Sequence, residues 1–199
     1  MIKNSDSLKV VLDGWNGYQE SLVSAVKPLN PEQLAWRPAE NLNSVGELVR
    51  HISLGRVVWF RRMHAPGSAE ISAQVEYWQQ DTDGNQYIDE KKIEIADQAS
   101  ALVHWLELSW QMIDQTLKEW KIADLSQSYR HVWNGTAYAV TRQWTIWRIM
   151  SHDIHHGGEL SLMLGIQGIQ AFELSALFGH ITLPPLWGED QSVPASLVK

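Results

Sequence analysis

Between Asp6 and Val26, the apolar residues Leu8, Val11, Leu12, Trp15, Tyr18, Leu22 and Val26 recur at three- and four-residue steps. That spacing predicts a helix with one buried face, closed by Lys27-Pro28. A loop with one helical turn follows at Pro31. Ser44-Val45-Gly46-Glu47 then fits the capping box S-x-x-E and opens a second long helix. It runs to about Met63, with Leu48, His51, Ile52, Leu54, Val58 and Trp59 on its inward side, and "HAPGS" stops it. "ISAQVEYWQQ" reads as a short helix and "DTDGNQ" as a turn, without the spacing or terminal Glu of a calcium loop. A third long helix spans about Ala96 to Trp120, with Leu102, Leu106, Ser109, Ile113 and Leu117 on its inward stripe.

Periodicity changes at "SYRHVWNGTAYAVT", where alternating, β-prone residues flank Asn134-Gly135. This is the pattern of a hairpin closed by a two-residue primed turn. From Thr141 to about Leu164 comes the fourth long helix, "TRQWTIWRIMSHDIHHGGELSLML", and the tail "FELSALFGHITLPPLWGEDQ" is expected to hold one more short helix. Four long amphipathic helices around one core make an all-α helix bundle, here with a small β-hairpin before the last long helix. Residues 1–199 are expected to form one domain.

The fourth helix carries the chemistry. At about 100° per residue, Thr145, Arg148, His152, His156 and Glu159 fall on one polar stripe. Trp144, Trp147, Ile149, Met150, Ile154, Leu160 and Leu162 cover much of the remaining circumference, so the helix is expected to be buried and its polar stripe to need partners. His152 and His156, at i and i+4, can aim at one ion from one face, as in H-E-x-x-H zinc sites. Here the letters are H-D-I-H-H, without that glutamate base. His51 adds a third core-facing imidazole from the second helix. Three imidazoles leave coordination positions open, the hallmark of a catalytic metal site, and suit zinc, nickel, copper or iron. Gly157 and Gly158 disfavour a helix and are read as positions of close approach. His155 and Asp153 lie off the stripe, at the rim or behind the ligands. Trp59, Trp144 and Trp147 share helices with the histidines and are expected to wall the cleft, and His180 could help close it.

Composition narrows the function. The net charge of −7 and pI near 5.6 argue against nucleic acid as partner, because phosphate binding needs a clustered basic surface. No apolar run is long enough to span a membrane, and "MIKNSDSLKV" lacks an apolar signal core, so a cytoplasmic protein is expected. There is no cysteine, which excludes thiolate ligands and a cysteine nucleophile and leaves His, Asp and Glu for any metal.

"PEQLAWRP", "NSVGELVRHI" followed by Trp59, "RQWTIWRIMSHDIHHGGELSLMLGIQG" and "GHITLPPL" together resemble the DinB superfamily of DinB/YfiT-like metal-dependent enzymes. The resemblance implies an up-down-down-up four-helix bundle, a divalent metal such as zinc or nickel on His51, His152 and His156, and a homodimer. Two reactions on a small-molecule substrate are open. In a hydrolase, metal-activated water attacks an ester or amide, with Glu159 as the candidate base. In a thiol S-transferase, the metal activates an exogenous low-molecular-weight thiol. In either, Arg148 could hold a substrate carboxylate. The alternative is a non-catalytic, metal-stabilised module that binds a small molecule.

Overall fold

The computed structural model describes residues 7–10 and 12–171; His180 and the expected tail helix lie outside them. Helix α1 spans Gly14–Val26, α2 Pro31–Ala35, α3 Val45–Arg62, α4 Ser68–Ser72, α5 Ala99–Glu119 and α6 Arg142–Ile166. The predicted start of α3 is present in full. Ser44 Oγ accepts from Glu47 N–H, and Glu47 Oε2 accepts from Ser44 N–H at 2.7 Å. These bonds satisfy donors that a helix start leaves free.

The first helix begins later than its periodicity predicts. Residues Leu8–Val10 form a 3₁₀ turn instead, tied to the end of α5. Leu8 N–H donates to the Trp120 carbonyl at 3.2 Å, Ser7 Oγ to the Leu117 carbonyl at 3.2 Å, and Lys9 pairs with Asp114 at 2.7 Å. Leu8 is therefore buried by a tertiary contact rather than by a continuous helix.

Two antiparallel hairpins accompany the helices. Strands β3 (Ser128–Trp133) and β4 (Thr136–Thr141) are the predicted one. Its turn has φ of 49° at Asn134 and 75° at Gly135, the left-handed pair that a type I′ turn demands. The other hairpin corrects the reading of "ISAQVEYWQQ". The short helix ends at Ser72, and Trp78–Gln80 is strand β1, paired with β2 at Gln86–Ile88. The intervening turn is built on Asp81, whose Oδ1 accepts from Asp83 N–H and Asn85 N–H. Three-residue strands are too short for alternation to register.

Helix α3 packs on both α5 and α6, and α1 packs on the same two. Leu22, Leu34, Ile52, Leu54, Phe60, Leu106, Ile113 and Ile149 are among the side chains fully enclosed between them, each contributing about 1.5–3 kcal/mol of transfer free energy. Contrary to its apolar circumference, α6 is not buried all round: Trp147, Leu162 and Ile166 are at least 60% exposed.

Candidate metal centre

Helices α3 and α6 meet along a series of contacts. His51 lies against His152 and His156, Gly55 against His152, and Trp59 against Trp144 and Arg148. Gly55 matters because a Cβ there would stand 3.0 Å from His152 Cε1. The imidazole of His152 thus lies on bare α3 backbone and can turn toward His51.

The three predicted histidines come together. His152 Nε2 stands 3.0 Å from His51 Nε2, and one nitrogen from each of His51, His152 and His156 lies within 4.8 Å of the others. Two imidazole nitrogens on a tetrahedral ion would stand roughly 3.3 Å apart, so the cluster needs little adjustment to hold one. His51 is less core-facing than its place on the inward side predicts, since its side chain is 36% exposed. It occupies the edge that faces α6, while Ile52 beside it is fully buried.

Carboxylates stand behind the rings. Glu90, in the 3₁₀ turn after β2, accepts from His51 Nδ1 at 2.9 Å. Glu159 accepts from His156 Nδ1 at 2.6 Å. A carboxylate can only accept, so each Nδ1 carries the proton and each Nε2 presents a lone pair, the tautomer a metal requires. Hydrogen bonding to Glu90 holds the His51 pKa above the ordinary imidazole value, against partial burial. The His156 pKa is pulled down by burial and by its two histidine neighbours, with Glu159 opposing. The third ring, His152, has its Nδ1 buried without a hydrogen bond and 3.9 Å from Asp153 Oδ1, beyond hydrogen-bond range.

Of the two positions open to Asp153, at the rim or behind the ligands, it takes the second, because it is fully buried. About 100° round the helix from His152, it turns toward α1 and α3. Arg56 Nη2 reaches it at 2.8 Å and Arg56 Nε at 3.0 Å, and Trp15 Nε1 donates to it at 2.8 Å. Arg56, also fully buried, donates onward from Nη1 to Gln19 Oε1 at 2.7 Å. Burial pushes the Asp153 pKa up, but the Arg56 charge and the hydrogen bonds outweigh it and the carboxyl titrates below its ordinary value. This network locks three helices directly behind His152.

The glycines divide. A Cβ on Gly157 would fall 1.7 Å from Tyr18 Oη, so α1 crosses α6 at that point, whereas nothing lies within 4 Å of one on Gly158. Thr145 leaves the centre and meets Tyr129 Oη at 2.7 Å. Arg148 stacks over Trp59 and Trp144. His155 is exposed, its Nε2 3.4 Å from Glu159 Oε1. Of the expected cleft walls, Trp59 and Trp144 pack together with centroids 5.6 Å apart, while Trp147 stands in solvent. Sequence reasoning missed Glu90 and Arg56. Glu90 gives no signal in "DEKK", but Arg56 does, falling four residues from Ile52 on the core stripe of α3.

Fold and site together define a mostly helical protein whose histidine cluster could hold a metal ion. The family model of the DinB superfamily matches residues 17–160, and the chain belongs to that superfamily. Among solved structures, it is similar to a DinB-like protein from Bacillus cereus ATCC 10987, with 14% identity, a TM-score of 0.60, and coverage of 84% of this chain and 97% of that one. No curated protein matches. Among the described residues, no helix is long and apolar enough to cross a membrane.

Proposed function

We propose that the chain is a cytoplasmic metal-dependent enzyme acting on a small molecule, with zinc or nickel held by His51, His152 and His156. The observation that carries this reading is the convergence of three imidazole nitrogens, two of them backed by carboxylates that fix the metal-binding tautomer. Bound there, a divalent ion with open positions supplies Lewis-acid chemistry, lowering the pKa of a water or thiol beside it. Glu90 and Glu159 hold the rings in place. Glu159, 46% exposed, is also the group proposed to take the proton from the nucleophile. Arg148, one turn from His152, orients the substrate. With no cysteine in the chain, a thiol nucleophile comes from an exogenous low-molecular-weight thiol.

The up-down-down-up order of the four long helices belongs to the same proposal. It is supported by contacts that advance together along α1 and α6, from Trp15–Asp153 to Tyr18–Gly157. Contacts along α3 and α6 run in opposite senses, from His51–His156 to Trp59–Trp144. A homodimer would cover the exposed Trp147, Leu162 and Ile166 of α6.

The reaction is tested on metal-loaded protein. Stabilisation that requires both metal and a low-molecular-weight thiol indicates S-transfer, and turnover of activated esters without thiol indicates hydrolysis. Tight metabolite binding with neither activity contradicts the enzyme reading and leaves a metal-stabilised binding module.

A further inference from the structure

Beyond the histidines, the α3–α6 seam holds two cations with no carboxylate in contact. Arg62 and Arg148 both lie over the Trp59 ring, at 4.4 Å and 4.6 Å from its centroid. Neither forms an ion pair among the described residues, and the Nε of each is buried without a hydrogen-bond partner. Arg62 Nη2 donates only to a backbone carbonyl, that of Gln86, at 2.7 Å. The nearby acids are committed elsewhere. Asp81 accepts from Asn85 and from its own turn. Asp83 caps the other hairpin, its two oxygens taking Asn134 N–H and Gly135 N–H at 2.8 Å each. In a chain of net charge −7, Asp81 acts on Arg62 only at a distance, and two half-buried guanidiniums with no carboxylate in contact repel each other and call for an anion.

The surroundings are shaped to receive one. Arg61, Arg62, Tyr129, Arg130 and His131 line an open cavity of about 480 Å³, with Asp83 as its carboxylate, and His131 packs on Trp59 with centroids 5.3 Å apart. A second cavity of about 460 Å³ shares His131 and is walled by Trp133, Tyr138 and Trp144. Arg148 and His152 are one helical turn apart, about 6 Å along α6. An anion at Arg148 would therefore leave the rest of its molecule within reach of the histidines.

We infer that Arg148 and Arg62, both packed over Trp59, form a subsite for an oxoanion, so that the substrate carries a carboxylate or phosphate group. Arg148 supplies the planar fork for two parallel hydrogen bonds, Arg62 a second charge, and the aromatic walls the surface for the apolar body. Which bond reacts depends on the metal reading proposed above; the subsite does not.

The test uses chelator-treated, ¹⁵N-labelled protein and follows the arginine Nε–H signals, with exposed Arg37, outside both cavities and paired with Glu47, as the internal control. Propionate, inorganic phosphate and neutral propionamide are titrated in turn. The Arg62 and Arg148 signals should move and saturate with an oxoanion and stay still with propionamide. Whichever of propionate and phosphate binds more tightly identifies the group. Arg148→Met should weaken binding about tenfold or more, and Arg148→Lys, which keeps the charge without the fork, by less. Signals of Arg62 and Arg148 that respond no more than that of Arg37 overturn the inference without recourse to a variant. So does a response unchanged in Arg148→Met. Nickel titrated into the same sample reads the histidine centre separately, so failure of one reading is not failure of the other.

Discussion

Replacing Gly157 and Gly158 with alanine, one at a time, should move stability in opposite directions. Both lie within α6, where alanine is favoured over glycine by about 0.8–1.0 kcal/mol. At Gly158 a Cβ meets nothing within 4 Å, so Gly158→Ala should stabilise by close to that amount. At Gly157 the Cβ would stand 1.7 Å from Tyr18 Oη and 2.7 Å from Cζ, where carbon contacts need about 3.5–4.0 Å. Tyr18 has little room to yield: it is 3% exposed, and its hydroxyl donates to the Ile154 carbonyl at 3.2 Å. Overpacking of this kind costs about 1–3 kcal/mol. After the propensity gain, Gly157→Ala should lose up to about 2 kcal/mol, and the two variants should differ by the overpacking cost, about 1–3 kcal/mol. Urea unfolding of metal-free protein measures this as a difference in midpoint at constant slope. Because His156 precedes Gly157, nickel affinity should also fall in Gly157→Ala and hold in Gly158→Ala. Tyr18→Phe should recover part of the Gly157→Ala loss. Equal stability of the two alanine variants would refute the close crossing of α1 over α6.

Asp153→Asn leaves Arg56 buried without its counter-charge, which should cost about 3–5 kcal/mol in urea unfolding. The Asp153 pKa is lowered on folding, so its stabilisation is present above the ordinary carboxylate pKa. It is lost as pH falls through the depressed folded value, and Asp153→Asn should flatten the acid limb of stability against pH. Glu90→Gln should weaken metal binding about 10- to 100-fold by releasing the His51 ring, measured by competition with a chelator. In the metal-free protein, Glu90 raises the His51 pKa. The pair therefore stabilises fully below the ordinary imidazole pKa and loses this as pH rises through the folded value. An NMR titration of His51 should show its pKa falling in Glu90→Gln.

Elements whose instructions are local were legible in the sequence. The α3 capping box, the Asn134-Gly135 turn and the i, i+4 spacing of His152 and His156 each fit within a few residues, and each stands where its letters predict. What needed tertiary contact was not legible. Leu8 is buried by docking on α5 instead of extending α1. Strands β1 and β2 are held by a three-residue register that leaves no periodic trace. Glu90 reaches His51 only because that hairpin returns the chain to α3. Apolar letters around α6 predicted burial, yet Trp147, Leu162 and Ile166 face outward, since periodicity counts faces but cannot count neighbours. The Gly-Gly pair looked like one feature and is two, because only Gly157 lies under Tyr18.

The central claim is that His51, His152 and His156 bind one divalent ion between two helices. Elemental analysis of protein purified without a metal-affinity tag, paired with nickel and zinc titration of wild type and His51→Ala, tests it most directly. The expected result is one ion per chain, a fall in thermal stability on chelation, and loss of binding in His51→Ala. Protein that purifies without metal, takes up neither ion and is indifferent to chelator would contradict it. Undiminished affinity in His51→Ala would contradict the two-helix geometry.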